Sequence, residues 1–333
     1  MGAVGIKMND EKLRLLIKVC ELYYSQGLNQ QEIAKQLNIS RPQVSRNLAK
    51  ARSEGIVSIT INNPFINEKR KKYEEALVDR FGLDDAVVVN SENSNDSDIR
   101  RIVSEACAKY LTSVIRDHDI IGVMAGTSVQ KVCQKVTTVY RNDLRVVPTI
   151  GGWGTEGTDW HANANAKVLG ENLKGRYYVL HAPSVVTKPD TRETFLNEPD
   201  ISSVLNIARQ ATISLMGIGE MSHHATIVRS GVYSAEDLDD FKSHGAVASI
   251  LSWFIDKYGQ SITHPSQGRT IGLGYGELKK IPKKIAVAYG IDKAEAILAA
   301  ILGKWLNVLV TDTKTVKAIL EMESCVGLDL ERG

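Results

Sequence analysis

Residues 28–50, LNQQEIAKQLNISRPQVSRNLAK, read as two short amphipathic helices joined by a tight turn, and they decide the N-terminal fold. Asn29 stands where it can cap the first helix, and Glu32, three residues on, completes a capping box. Ile33, Ala34 and Leu37 supply an apolar stripe at helical spacing. Asn38 and Ile39 make the turn. Ser40 then occupies the next cap, with Gln43 at the third helical position and Pro42 in the first turn, where its missing N–H costs nothing. Val44 and Leu48 point inward, leaving Arg41, Gln43, Ser45, Arg46, Asn47 and Lys50 for water or a partner. Arg reaches guanine O6/N7 or phosphate, Gln can pair with adenine, and Ser bonds to either, which is the chemistry of a major-groove reader. The bland alternative is a helical hairpin with a solvated charged face. Three features favour double-stranded DNA: the N-terminal position, the local basic charge, and the alternating stretch IVSITI (56–61) in the place of a wing. The expected DNA contacts are Gln30, Arg41, Gln43, Ser45, Arg46 and Lys50.

Charge is unevenly distributed. The net formal charge is only +2 over 333 residues, yet residues 1–82 hold 14 Lys/Arg against 9 Asp/Glu, and the remainder holds 27 against 30. A basic front and a mildly acidic body suit a protein that meets nucleic acid with one end. Composition (43% hydrophobic, 24% charged) is that of a globular chain. No apolar run reaches the roughly 18 residues of a membrane span, and the N-terminus lacks a signal-peptide core. Cys20, Cys107, Cys133 and Cys325 show no paired spacing, so they read as buried reduced thiols, and the expected compartment is cytoplasmic.

The expected organisation is a winged helix-turn-helix domain over 8–62, a linker helix over 63–82 and a ligand-binding domain over 83–333. A first helix over 9–26 should pack behind the pair through Leu13, Leu16, Ile17, Cys20 and Tyr24. The linker repeats Tyr73, Leu77 and Phe81 every four positions, a narrow stripe that fits packing on its own domain or on a twin helix. From residue 84 the pattern alternates. Strands are expected at 86–89, 120–124, 145–150, 177–181, 212–217, 284–288 and 307–311. Helices are expected at 97–115, 127–139, 161–173, 199–208, 235–242, 292–302 and 313–322. Nearly continuous apolar strands separated by helices imply a Rossmann-like, mostly parallel α/β sheet covered on both faces.

Four strand ends share one design of small residues running into a helix: IGVMAGTS (121–128), VPTIGG (147–152), LMGIG (215–219) and AYGIDKA (288–294). Glycines let backbone N–H groups approach a ligand, helix N-termini carry partial positive charge, and Thr127, Ser128 and Lys293 add hydroxyls and a cation. Together they make a site for a phosphate or a polyol, although each phrase alone could be an ordinary turn.

These phrases, with the head LNQQEIAKQLNISRPQVSRNLAKARSEGIV and with VPTIGGWG, GAVASI, RTIGLGYGELKKIP and YGIDKAEAILAAILGKWLNVLVTD, resemble the SorC family (SorC/DeoR type) of sugar-binding transcriptional regulators from about residue 10 to 322. The resemblance implies a winged helix-turn-helix head and an effector domain similar to the sugar-phosphate isomerases. It also implies operator binding as a homo-oligomer, dimer or tetramer, under control of a carbohydrate or phosphosugar effector, without cofactor or metal. Carried over by position, Gly126, Thr127, Thr149, Gly151, Gly152, Asn163, Gly219 and Lys293 would line the effector pocket, with Ser128 beside them. The chain departs from the family where GAVGDI becomes GAVASI, so that Ser249 stands in place of a carboxylate. Further departures are Ala125 for an aromatic, His161 for a frequent Gln, and Tyr289-Gly290 for a glycine pair.

The rival reading is an isomerase-like enzyme with an appended DNA-binding head. Enediol chemistry needs a carboxylate or His base, and Glu156, Asp159, His161, His223 and His224 are the candidates. No HExxH spacing and no Gly-x-Ser-x-Gly elbow is present, and Gly272-x-Gly274-x-Gly276 lacks the spacing and acid of a dinucleotide fingerprint. No catalytic residue is assigned. A third reading is an architectural DNA-binding protein that ignores small molecules.

Overall fold

The computed structural model describes residues 10–57, 64–154 and 158–330, which form two compact units dividing near Pro64. In the first unit, α1 (Asp10–Cys20) runs directly into one turn of π-helix (Glu21–Ser25), followed by α2 (Gln30–Gln36) and α3 (Arg41–Ser53). Leu16, Val19, Cys20, Leu22, Ile33, Val44, Leu48 and Ala51 form its core. The capping box on α2 is present: the Asn29 side chain accepts from the Gln31 and Glu32 amides at 2.9 and 3.0 Å, and the Asn29 amide donates to Glu32 at 2.8 Å. Asn38 turns the chain at φ +51°.

Three local expectations need correction. Ser40 occupies the cap position of α3 but its hydroxyl makes no capping bond, so Pro42 in the first turn supplies the local signal. Ile17 and Tyr24 are exposed: the buried face of α1 runs through Leu16, Val19 and Cys20 and leaves Ile17 at its edge, and the extra residue per turn in the π-helix turns Leu22 inward in place of Tyr24. Of the expected wing strand, residues 58–61 lie outside the described residues. The amides of Ile56 and Val57 both donate to the Ala51 carbonyl and close α3, so no strand begins there.

The second unit starts with α4 (Pro64–Phe81). Leu77 is fully buried in that unit's core, and Tyr73, Val78 and Phe81 pack half-buried beside it. Alternation follows through β1 (Asp85–Val89), α5 (Asp96–Val114), β2 (Ile120–Val123), α6 (Thr127–Lys135), β3 (Arg145–Pro148), α7 (Ala162–Leu173) and β4 (Arg176–Tyr177). Helices α8 (Pro189–Asn197) and α9 (Pro199–Arg209) lead to β5 (Ile213–Gly217). A small excursion holds β6 (Gly219–Glu220), α10 (Thr226–Arg229), α11 (Ala235–Ser243), β7 (Ala248–Ile250), β8 (Trp253–Ile255) and α12 (Tyr275–Lys279). β9 (Lys283–Val287), α13 (Ala294–Leu302), β10 (Val308–Asp312) and α14 (Thr313–Leu330) complete the chain.

The main sheet has seven strands in the order β1-β10-β9-β5-β2-β3-β4, and every pairing in it is parallel. Helices α5, α6 and α7 pack side by side on one face, with α9 and α14 reaching the strands from other elements of the unit. Burial on both sides explains the uninterrupted apolar runs: all residues of β2 and β10 are buried. From β2 the chain winds outward to β3 and β4, then returns to place β5 on the other side of β2. The order therefore reverses between β2 and β5, and the crevice outside their carboxyl ends is where such sheets take ligands. A second sheet, β6-β7-β8, is antiparallel and stands beside that crevice, with Gly219 opposite Ser249. These strands of two or three residues are too short to show a period in the sequence.

Candidate functional site

On the head, α3 carries Arg41, Arg46, Lys50 and Arg52 and no carboxylate. At about 100° per residue, the buried row Val44, Leu48 and Ala51 puts Arg46 on the opposite face, flanked by Ser45, Ala49 and Lys50. Arg41, Ser45 and Arg46 are exposed, and Gln43 is half-buried. Neither Arg41 nor Arg46 forms an ion pair among the described residues, whereas Lys50 reaches Glu54 at 3.6 Å. Gln30, half-buried, opens α2. Asn47 escapes the sequence reading as a special position: it is half-buried and its amide nitrogen has no partner among the described residues. The helix thus offers unpaired guanidinium groups on a rigid surface, the arrangement that phosphate and base edges need.

In the second unit, a cavity of about 470 Å³, its mouth included, lies at the carboxyl ends of β2 and β5. Gly126 caps α6 at φ +137°, a conformation that L side chains rarely adopt, and no side chain caps the helix there. The first amides of α6 are consequently left for a ligand, with the Thr127 and Ser128 hydroxyls beside them. Gly290, at φ +103°, turns the chain after β9 and sends Lys293 into the same space. That turn is held from behind. The Gly290 amide donates to Asp312 at 3.3 Å and to the Thr315 hydroxyl at 2.8 Å, and fully buried Asp312 also accepts from the Ser91 hydroxyl at 2.6 Å and the Lys314 amide at 3.0 Å.

Lys293 Nζ donates to the Ile218 carbonyl at 3.0 Å and lies 2.8 Å from a Glu220 carboxylate oxygen. Burial alone would push the Glu220 carboxyl up. The Lys293 charge and hydrogen bond outweigh that and hold it below the usual carboxylate range. Ser249, buried on β7, faces Gly219 closely enough that a Cβ at 219 would lie 2.4 Å from its hydroxyl. Trp153, 4% exposed, forms an apolar wall with Ile218 and Leu251, and its indole N–H has no partner among the described residues. Toward the mouth stand Arg100, Lys131, Arg229 and Lys314, interleaved with Asp96 and Asp292. Tyr289 is there as well; burial pushes its phenol up, partly offset by Ser128 and Arg100.

The structure therefore brings Gly126, Thr127, Ser128, Gly219, Ser249 and Lys293 around one cavity. Thr149, Gly151, Gly152 and Asn163 do not line it. Thr149 is fully buried with its hydroxyl on the Val123 carbonyl. The Gly151 amide donates to Ile271 and that of Gly152 to Ala182, and a Cβ at 151 would stand 2.4 Å from the Pro183 carbonyl. The glycine pair answers a crossing of backbones. Asn163 grips the backbone of Leu180 through both ends of its amide, at 3.0 and 2.9 Å. Glu220 and Trp153 are the cavity residues that sequence reasoning missed. A charged residue immediately after the apolar MGIG strand was the available signal for the first.

Of the candidate bases, exposed Asp159 and half-buried His161 do not line the cavity, Glu156 lies outside the described residues, His223 pairs with Asp239 at 3.0 Å, and His224 stands at the mouth.

A helix-turn-helix head joined to a ligand-binding α/β domain defines a DNA-binding transcriptional regulator. The comparisons agree: residues 20–58 match the winged helix-turn-helix DNA-binding family, and residues 67–321 match the Sugar-bind family, a sugar-binding domain. The chain belongs to the SorC family (SorC/DeoR type) of sugar-binding transcriptional regulators. It is 31% identical to the deoxyribonucleoside regulator of Bacillus subtilis (strain 168), over 94% of this chain and 99% of that one. It is 32% identical to the transcriptional regulator LsrR of Escherichia coli (strain K12), over 91% and 93%. In three dimensions it is similar to the full-length sorbitol operon regulator SorC of Klebsiella pneumoniae, with a TM-score of 0.74 at 27% identity over 92% of this chain and 98% of that one.

Proposed function

We propose that the protein regulates a carbohydrate-utilisation operon from the cytoplasm, as a dimer or tetramer on an inverted-repeat operator, under control of a sugar-phosphate or polyol-phosphate. The observation that carries this reading is the convergence of the uncapped α6 amides, Thr127, Ser128 and Lys293 on one cavity, which suits an anionic group. Glu220 and Ser249 are placed to hold hydroxyls, and Trp153, Ile218 and Leu251 to cover a carbon frame. Relatives named for a sorbitol operon and for deoxyribonucleosides support a carbohydrate class. Arg41, Gln43, Ser45 and Arg46 read base edges and phosphates, with Gln30 and Lys50 at the backbone. Two heads are needed because one short helix reads only a few base pairs.

Turnover is not part of this function. Among the described residues, Glu220 is the one carboxylate lining the cavity, and it is tied to Lys293 with its pKa held down. An enediol base must be free to take a proton, and this carboxylate is committed to Lys293. A thermal-shift panel of phosphosugars, followed by product analysis, tests the reading: stabilisation without conversion is expected. Conversion of any of them would favour the enzyme, and indifference to all of them an architectural protein.

A further inference from the structure

We propose that Asp240, His244 and His264 form a binding site for a divalent transition metal, with Zn²⁺ the fitting ion. Their donor atoms all lie within 4.8 Å of one another. The Asp240 carboxylate stands between the two imidazoles: one oxygen is 2.8 Å from His264 Nε2 and the other 3.5 Å from His244 Nδ1. His244 Nδ1 also lies 2.9 Å from the Asp240 main-chain carbonyl, so both imidazoles gather at this one residue. Tetrahedral Zn²⁺, with bonds of about 2.0–2.1 Å, asks for donors roughly 3.3 Å apart, so donors gathered within 4.8 Å would close in on binding.

The site is supported as metal sites are. Asp240 sits in the last turn of α11 and His244 follows one helical turn later, so both donors lie on one face. His264 comes from beyond the β7–β8 hairpin and is the anchored member. Its side chain is 11% exposed, its ring meets Phe241 edge-on at 4.7 Å, and its Nδ1 lies 2.8 Å from the Ser266 hydroxyl. Nδ1 also accepts from the Ser266 amide at 3.2 Å, so the ring's orientation is fixed from behind. Exposed Asp240 and His244 leave the remaining coordination position open to water. Two imidazoles with a carboxylate are a nitrogen and oxygen set that suits zinc. Sequence spacing hides the site because the third donor is brought in by the fold. The bound ion would staple α11 to the segment before Pro265. Phe241 stacks on Phe254, which pairs with Ser249, so the staple backs the strand that forms one wall of the cavity.

Calorimetric titration of the EDTA-stripped, full-length protein with ZnCl₂ tests this. One Zn²⁺ per chain should bind saturably, and excess Zn²⁺ should raise Tm by several degrees. Asp240→Asn and His244→Ala change exposed side chains and should each weaken binding tenfold or more. His223→Ala, which removes the imidazole on neighbouring Asp239, should leave it unchanged. Wild-type protein that takes up no Zn²⁺ saturably, or binding that both ligand variants leave intact, overturns the assignment.

Discussion

Lys293 Nζ and a Glu220 oxygen lie 2.8 Å apart inside the cavity at the carboxyl ends of β2 and β5, although 73 positions separate them in the chain. The pair sets two tasks side by side. The ammonium is available to an anionic group of the effector, and the carboxylate, kept ionised by it, can accept from hydroxyls. Lys293→Ala removes a charge-assisted hydrogen bond worth roughly 1.5–3 kcal/mol, so affinity for a phosphorylated effector should fall by about tenfold to a hundredfold. Operator binding without effector should be unchanged. Calorimetry and DNA anisotropy on the same preparation check both.

The same pair has a pH signature. Because the folded-state carboxyl of Glu220 lies below its unfolded value, its stabilisation is fully present above the usual carboxylate range. It is lost as pH falls through the depressed folded value. Wild type should therefore lose its stability advantage over Glu220→Gln only under acid conditions, with the advantage constant through neutral pH. Denaturant midpoints for the two proteins across that span provide the measurement; a difference that persists undiminished into acid, or grows as pH falls, contradicts the assignment.

Gly290 shapes the turn that delivers Lys293. Alanine at φ +103° costs about 1–3 kcal/mol of backbone strain, and relief of it shifts the 288–293 loop. Gly290→Ala should weaken effector binding at least tenfold while leaving the head's operator affinity intact. The loop is also tied, through Asp312, to Ser91 just beyond β1, and the Val88 amide of β1 donates to Glu74 of α4 at 2.9 Å. We propose this as the route by which ligand and α4 communicate. Glu74→Gln should then reduce the factor by which effector changes operator affinity, with both separate affinities kept.

On the head, Arg46 points away from the core of α3 and carries no ion pair among the described residues. Arg46→Ala should cost roughly 1–3 kcal/mol of operator binding if it reads a guanine, or lower the salt slope by about one if it meets a phosphate. A footprinted fragment titrated at several salt concentrations separates the two, and unchanged affinity with unchanged slope removes Arg46 from the interface.

The two caps of the helix pair make a contrast within one motif. Asn29→Ala breaks a complete capping box and should cost about 1 kcal/mol, whereas Ser40→Ala removes a hydroxyl that makes no capping bond and should cost much less. Chemical denaturation followed by circular dichroism ranks them.

Much of this architecture was legible because burial writes itself into periodicity. Six strands of the main sheet match stretches expected from apolar runs, since a parallel sheet covered on both faces tolerates few polar residues, whereas the edge strand β4 is the exposed pair Arg176–Tyr177 and meets the expected 177–181 only at Tyr177. Tyr24 was misplaced because a π-turn at Glu21–Ser25 breaks the 3.6-residue period assumed for one continuous helix. The glycines at 126 and 151 look alike in sequence, yet one leaves helix amides open at a cavity and the other lets two backbones cross. Only tertiary geometry separates those uses. Glu220 stood out only as a charge after an apolar strand, because its meaning comes from Lys293, which the fold supplies.

The central claim is that ligand in the cavity and DNA on the head bias one equilibrium, so each must change the other's affinity by the same factor. Anisotropy of a promoter fragment with and without saturating phosphosugar gives one factor, and calorimetry of that phosphosugar with and without saturating DNA gives the other. The account predicts equal factors, both reduced toward one in Lys293→Ala. Operator affinity that no phosphosugar alters, in a protein that still binds one of them in this cavity, would contradict it.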